Sequence, residues 1–349
     1  MKIAVFGWYG HDNAGDERIK FCLKHFLISL GGIEAVDFFD LHEHGIRGKT
    51  NQFDHYNLVI IGGGGLILSQ CNYHDFVNGI NTKIVTLGVS VERPKLTGNS
   101  KKFAIALIEK SLAFLVRDKE SAQKLRAYDS DNKIKISPDL TFLEPYKVVD
   151  LITNGKIGIN LLPKPAHFKY STLSAPPFSF LLRLLNYIGI KEFVKVIDFK
   201  NTLKELEAKF EISPIPLYCA LQENVLPMYQ KNDVEFLKLY FKKVSPVFLD
   251  GDIDKCCLFL SMRLHGSIFA VQKGVPVLSL SYLPKNRNFM NNVGLGNLVV
   301  ESFETSEIIK SINYIQKNQS SIREKMISYR NAATLKIRQD LTEILNLVS

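Results

Sequence analysis

What most constrains the fold of this chain is an alternation: short apolar runs of strand length take turns with segments whose apolar residues recur at helical spacing. A chain that switches period in this way builds βα units around a parallel sheet. Residues 3–6 read as a strand, a loop follows over 7–16, and residues 17–30 place Ile19, Leu23, Phe26, Leu27 and Leu30 on one helical stripe before the stop at Gly31-Gly32. Further strands are predicted at 35–41, 58–61, 83–91 and 134–136, with helices at 103–114 and 121–128.

A second series opens at Lys156, after the turn-rich stretch around Glu144-Pro145 and Thr153-Asn154-Gly155. Its predicted strands are 215–221, 247–249, 257–261, 275–281 and 298–300, and its helices 234–241, 266–273, 307–316 and 322–347. The length of 349 residues suits two such domains, since one domain takes roughly 100–200. The expected fold is α/β: two doubly wound, Rossmann-like domains, residues 1–150 and 151–349, in a GT-B-like arrangement.

Composition narrows the function classes. Hydrophobic residues at 46% and charged residues at 23% describe a globular protein with a sizeable core. The net charge of +9 favours anionic partners. Five cysteines, an odd number without CxxC spacing, argue against a disulfide framework or a zinc ribbon and fit a reducing compartment. The apolar run after Met1-Lys2 is too short for a signal peptide, and the uncharged stretch 56–73 contains four consecutive glycines, so no membrane-spanning helix is expected. The expectation is a cytoplasmic protein.

Several motifs have ordinary structural readings. The glycines at 62 and 64 lack a third glycine at Ile67, and Gly48-Lys49-Thr50 has Glu43 where a P-loop begins with glycine, so neither dinucleotide nor ATP binding is indicated. Asp250-Gly251-Asp252 lacks the remaining calcium-loop ligands, and His42-Glu43-His44 has no third ligand spaced for zinc, so no metal is expected. Residues 178–199 read as a core-packing amphipathic helix, with rest on a membrane surface as the alternative.

Two segments carry chemistry. The loop 7–17, with Asn13, Asp16 and Glu17, and the run Gly62-Gly63-Gly64-Gly65 each follow a predicted strand, where open α/β sheets place ligands. Asp16 reads equally as a helix cap. In residues 257–282 an apolar strand ends at Met262, Arg263 and His265 stand where a helix begins, and Gly274 stops that helix. Arginine and histidine at a helix N-terminus form an anion site with a group able to exchange a proton near neutral pH. The alternative is a charge pair satisfied within the fold.

Asn13, Gly15, Asp16 and Glu17, the glycine run, Arg117-Asp118 with Ser121, Pro138-Asp139, and Arg263-Leu264-His265 through Tyr282 and Lys285 together resemble the polysaccharide pyruvyl transferase family, over about residues 2–298. The resemblance implies a GT-B-like fold and transfer of a pyruvyl group from phosphoenolpyruvate to two hydroxyls of a glycan, as a ketal, in bacterial surface polysaccharide synthesis. It implies donor binding by Arg263, Leu264 and His265, with His265 and Arg263 as catalytic residues and the first domain, through Asn13, Asp16, Gly63 and Gly64, on the acceptor side. No cofactor is implied and no nucleic acid; the acceptor is a glycan, free or lipid-linked, the latter at the inner face of the membrane. Where members often carry arginine after the first strand of the second domain, this chain has Leu162, so Lys164 and Lys285 are expected to supply the missing cation. The alternatives are a GT-B glycosyltransferase using a nucleotide sugar and a non-catalytic glycan-binding relative.

Overall fold

The computed structural model describes residues 1–47, 50–68, 72–92, 95–152, 155–162, 199–220 and 232–348. The chain divides into two units, Met1–Tyr146 with Ser328–Ser349, and Lys147–Ile327.

In the first unit, β1 (Lys2–Gly7), α1 (Ala14–Ser29), β2 (Ala35–Asp40), α2 (Leu41–Arg47), β3 (Leu58–Ile67), α3 (His74–Gly79), β4 (Ile84–Val91), α4 (Gly98–Lys110), β5 (Ser111–Val116), α5 (Lys119–Arg126) and β6 (Ile134–Ile136) follow in order. The sheet runs β2-β1-β3-β4-β5-β6 with every pair parallel. β4 is buried along its whole length and β3 nearly so, which is why both read as unbroken apolar or glycine runs. Phe6 anchors the core, its ring 4.9 Å from that of Phe53 and 5.1 Å from that of Phe76. The order reverses between β1 and β3, and that reversal is the switch point where ligands bind such sheets.

The second unit repeats the winding. β7 (Lys156–Asn160), α6 (Lys200–Glu207), β8 (Ile212–Pro214), α7 (Asp233–Leu237), α8 (Gly251–Asp254), β9 (Cys256–Ser261), α9 (Leu264–Lys273), β10 (Val277–Leu280), α10 (Pro284–Asn292), β11 (Val299–Val300), α11 (Thr305–Lys317) and α12 (Gln319–Val348) carry a parallel sheet ordered β11-β10-β9-β7-β8. Its switch point lies between β7 and β9.

The structure departs from the sequence reading in places. The strand expected at 215–221 is instead Ile212–Pro214. Leu217 and Tyr218 give their N–H groups to the Asp233 carboxylate and so leave the ladder. Residues 247–249 form no strand. Ser245 Oγ closes a local turn onto the Val247 carbonyl at 2.6 Å, and Val247 and Leu249 stay about half exposed. The helix expected over 178–199 lies outside the described residues.

The end of the chain also differs from a domain of 151–349. Residues 328–348 of α12 belong to the first unit, where they bury Ala333, Ile337, Leu341, Ile344, Leu345 and Val348. There Ser137 Oγ donates to Asp340 at 2.6 Å, and Arg338 and Arg330 donate to the carbonyls of Leu143 and Tyr146 at 2.9 and 3.0 Å.

Candidate active site

At the switch point of the second sheet, Asn160 at the end of β7 stands opposite Ser261 at the end of β9. Arg263 follows as the cap residue of α9, extended at φ −83° and ψ 138°, so the strand turns into the helix at Leu264. Asn160 fixes this turn twice, accepting from Met262 N–H through its carbonyl at 3.1 Å and from Arg263 N–H through Oδ1 at 3.2 Å. Its Nδ2 donates to Asp233 Oδ2 at 2.8 Å.

Asp233 is wholly buried and collects the groups around it. Its carboxylate accepts from Leu217 and Tyr218 N–H at 2.9 and 3.2 Å and from Arg263, with Nε 2.7 Å from Oδ2 and Nη2 2.5 Å from Oδ1. The guanidinium also lies 5.2 Å over the Tyr218 ring. Burial alone would favour the neutral arginine, but the charge and hydrogen bonds of Asp233 outweigh it and raise the Arg263 pKa. Arg263 is therefore a permanent cation, clamped in one plane by an ion pair inside the fold, as the sequence's structural alternative had it.

Leu264 and His265 are the first two residues of α9, where backbone N–H groups have no partner within the helix and its dipole is positive. His265 is half-buried and stacks on Phe269, with ring centroids 6.0 Å apart. Gly266 comes next because a Cβ there would overlap Ser261 Oγ, whose hydroxyl donates to the Arg263 carbonyl at 2.9 Å.

One expected lysine, Lys285, neighbours a residue that is bonded to this turn. Lys285 and Asn286 lie in the first turn of α10; Asn286 is fully buried and its Nδ2 donates to the Met262 carbonyl at 2.9 Å. Leu162 is buried, at 5% exposure, with its N–H toward Met262 Sδ at 3.4 Å. Lys164 lies outside the described residues.

In the first unit the expected residues meet at the other switch point. Asn13 caps α1, its Oδ1 accepting from Gly15 N–H at 3.3 Å. That helix carries buried Asp16 toward β3, where Gly63 and Gly64 take φ of +88° and +81°. A Cβ on Gly64 would stand 2.8 Å from Asp16 Oδ1 and one on Gly63 2.9 Å from Ile19, so only glycine admits this approach. Tyr9 closes the corner by donating to the Gly62 carbonyl at 2.8 Å. Burial, with the charges of Asp16 and Glu17, raises its pKa and keeps it a donor.

Other residues quoted for the resemblance are braces. Arg117 spans Glu92 and Asp139 at 3.4 Å each and donates to Ser90 Oγ at 2.8 Å. Asp118 caps α5 through Ser121 N–H at 2.8 Å, and Ser121 Oγ accepts from Val91 N–H at 2.9 Å, joining the ends of β4 and β5. Sequence reasoning missed Asp233, Asn286 and the role of Asn160. Asn232-Asp233 before an apolar run reads only as a helix start; Asn232 is that cap, while Asp233 serves an arginine 30 residues on. Among the described residues no three His, Cys, Asp or Glu side chains converge on a metal position, and no helix is long and apolar enough to cross a membrane.

Two doubly wound α/β units of this kind define the GT-B-like class. Its solved members include the UDP-GlcNAc 2-epimerase of Neisseria meningitidis bound to UDP-GlcNAc, at TM-score 0.52 and 14% identity over 98% of this chain and 100% of that one. The S. aureus MnaA–UDP co-structure is similar at TM-score 0.50 and 9% identity over 99% and 97%. At these identities the likeness is one of fold. No curated protein sequence matches the chain. The chain belongs to the polysaccharide pyruvyl transferase family, whose model matches residues 13–284.

Proposed function

We propose that the chain is a phosphoenolpyruvate-dependent pyruvyl transferase that forms a ketal on two hydroxyls of a glycan, in the making of a bacterial surface polysaccharide. The observation that carries this reading is Arg263, held in one plane by Asp233 at the N-terminus of α9, which suits recognition of a carboxylate or phosphate. Leu264 and His265 contribute helix-end N–H groups, and Lys285 stands on the neighbouring helix tied to the same turn. Because Asp233 already balances the charge of Arg263, Lys285 and Lys164 are the groups proposed to match the several negative charges of the donor.

One sugar hydroxyl adds to C2 of the enol while His265 delivers a proton to C3, making the methyl group; the hydroxyl's proton restores the histidine. The second hydroxyl then displaces phosphate from C2, and its proton leaves with the phosphate. Acid–base help of this kind gives about 10²–10⁴-fold, so positioning and charge stabilisation carry the rest. Asn13, Asp16, Gly63 and Gly64 are the proposed acceptor contacts. A lipid-linked acceptor would put this chemistry at the cytoplasmic face of a membrane.

The test supplies phosphoenolpyruvate or a nucleotide sugar together with a glycan. Phosphate release that requires both phosphoenolpyruvate and glycan, with a pyruvyl ketal seen by mass spectrometry, is expected. Turnover of the nucleotide sugar alone overturns the reading in favour of a glycosyltransferase, and glycan binding without turnover of either donor overturns it in favour of a binding protein.

A further inference from the structure

Beyond the residues so far assigned, the loop after β1 builds a second cluster. Gly7 and Asp40 are partners in the β1–β2 ladder, so the residues that follow both strands emerge side by side at the carboxyl end of the first sheet. Trp8 and His11 stack there, with centroids 4.0 Å apart and planes 21° from parallel. His11 Nε2 is 2.8 Å from Asp40 Oδ2, and Asp40 Oδ1 accepts from His42 N–H at 2.8 Å. His42 Nδ1 lies 2.7 Å from the Tyr73 hydroxyl, and its ring is 6.0 Å from that of Trp8.

We propose that Trp8, His11 and Asp40 form a saccharide-binding subsite at the carboxyl end of the first sheet. A carboxylate only accepts, so His11 Nε2–H donates to Asp40, and Nδ1 is the ring's second hydrogen-bonding atom. The rings are fixed yet not sealed: the side chains of His11 and Asp40 are 30% and 19% exposed, and Trp8 is half-buried. Asp12 turns the loop at φ +49°, a left-handed conformation that a short polar side chain such as aspartate accepts more readily than most residues with a Cβ. Fixed ring faces beside oriented hydrogen-bonding groups suit a pyranose, whose C–H faces stack while its hydroxyls bond. Glu17, which accepts from Gly10 N–H, and Asp40 put carboxylates at this loop, partly offset by Lys20 and His11, so a neutral sugar is the ligand proposed. The choice of a sugar rests on the glycan-acceptor reading above.

Trp8 is the only tryptophan of the chain, so its fluorescence reports from the subsite itself. The full chain is titrated with methyl glucopyranoside, methyl galactopyranoside and N-acetylglucosamine, and separately with phosphoenolpyruvate. A saturable change with at least one sugar is expected, weakened tenfold or more by His11→Ala and by His11→Phe, which keeps the stack but removes the hydrogen bonds. Thermal melts check folding, and where His11→Ala fails to fold, His11→Phe decides. No response to any sugar, or unchanged affinity in the folded variants, overturns the subsite. Sugar binding without phosphoenolpyruvate turnover overturns the donor reading alone, whereas intact turnover with an unchanged acceptor KM in His11→Phe overturns the subsite alone.

Discussion

Asp233 controls what Arg263 can do. Removing one partner of a buried ion pair costs about 3–5 kcal/mol because the other charge stays buried, so Asp233→Ala is expected to lower the melting temperature markedly. Asp233→Asn keeps the shape but weakens the hold on the guanidinium, and the donor KM is expected to rise at least tenfold in steady-state assays. His265→Asn is expected to cut kcat by about 10²-fold or more with an unchanged melting curve; near-wild-type kcat would end its role as the acid. Leu162→Arg is expected to lower stability rather than restore donor affinity, since the position is buried against Met262 and an unpaired charge there is expensive. The placement of Arg263 and His265 at a strand-to-helix turn was legible because an apolar run ends and a helix pattern begins within three residues. Asp233 was not, because pairing across 30 residues leaves no local pattern.

At the scale of elements, an apolar run shows in sequence when both faces are covered, as in β3, β4 and β9, whose burial is nearly continuous. Residues 247–249 have the same composition without that covering, while Ile215, Leu217 and Tyr218 are buried yet leave the ladder once Asp233 claims the N–H groups of Leu217 and Tyr218, so which runs join the sheet also depends on who claims their N–H groups. At the first site, the glycine run announced a close approach, but not what approaches. Asp16 does, and Gly64→Ala tests it: a Cβ at φ +81° and 2.8 Å from the carboxylate is expected to cost more than about 1 kcal/mol. Urea unfolding should show a lower midpoint with an unchanged slope.

For the whole molecule, the two units respond alike to alkali. Burial pushes the thiols of Cys22, in the first unit, and Cys256, in the second, up to about 12. A thiol held protonated in the folded state contributes its full stability below the ordinary thiol range near about 8.5, and loses it as pH rises toward about 12. Melting temperatures should therefore fall between pH 8.5 and 11, and both thiols should resist labelling at pH 8 until the chain unfolds. The doubly wound class of the second unit was legible, though not which of its apolar runs enter the sheet, and the return of 328–348 to the first unit was not fully so, because an amphipathic helix does not name the core it joins.

That return also sets an order of events during synthesis. Ile337, Leu341, Ile344, Leu345 and Val348 complete the burial of the first unit, and at about 1.5–3 kcal/mol per buried side chain they rival the whole stability of a typical domain, about 5–15 kcal/mol. Residues 1–146 are thus completed by residues 328–348, which are made only after the whole second unit. Translation proceeds at about 5–20 residues per second, so the first sheet waits on the order of ten seconds or more, with one flank uncovered, while the entire second unit is made. The second unit, whose residues are consecutive, has no such wait, and of the two units it is the one able to fold first although it is made later.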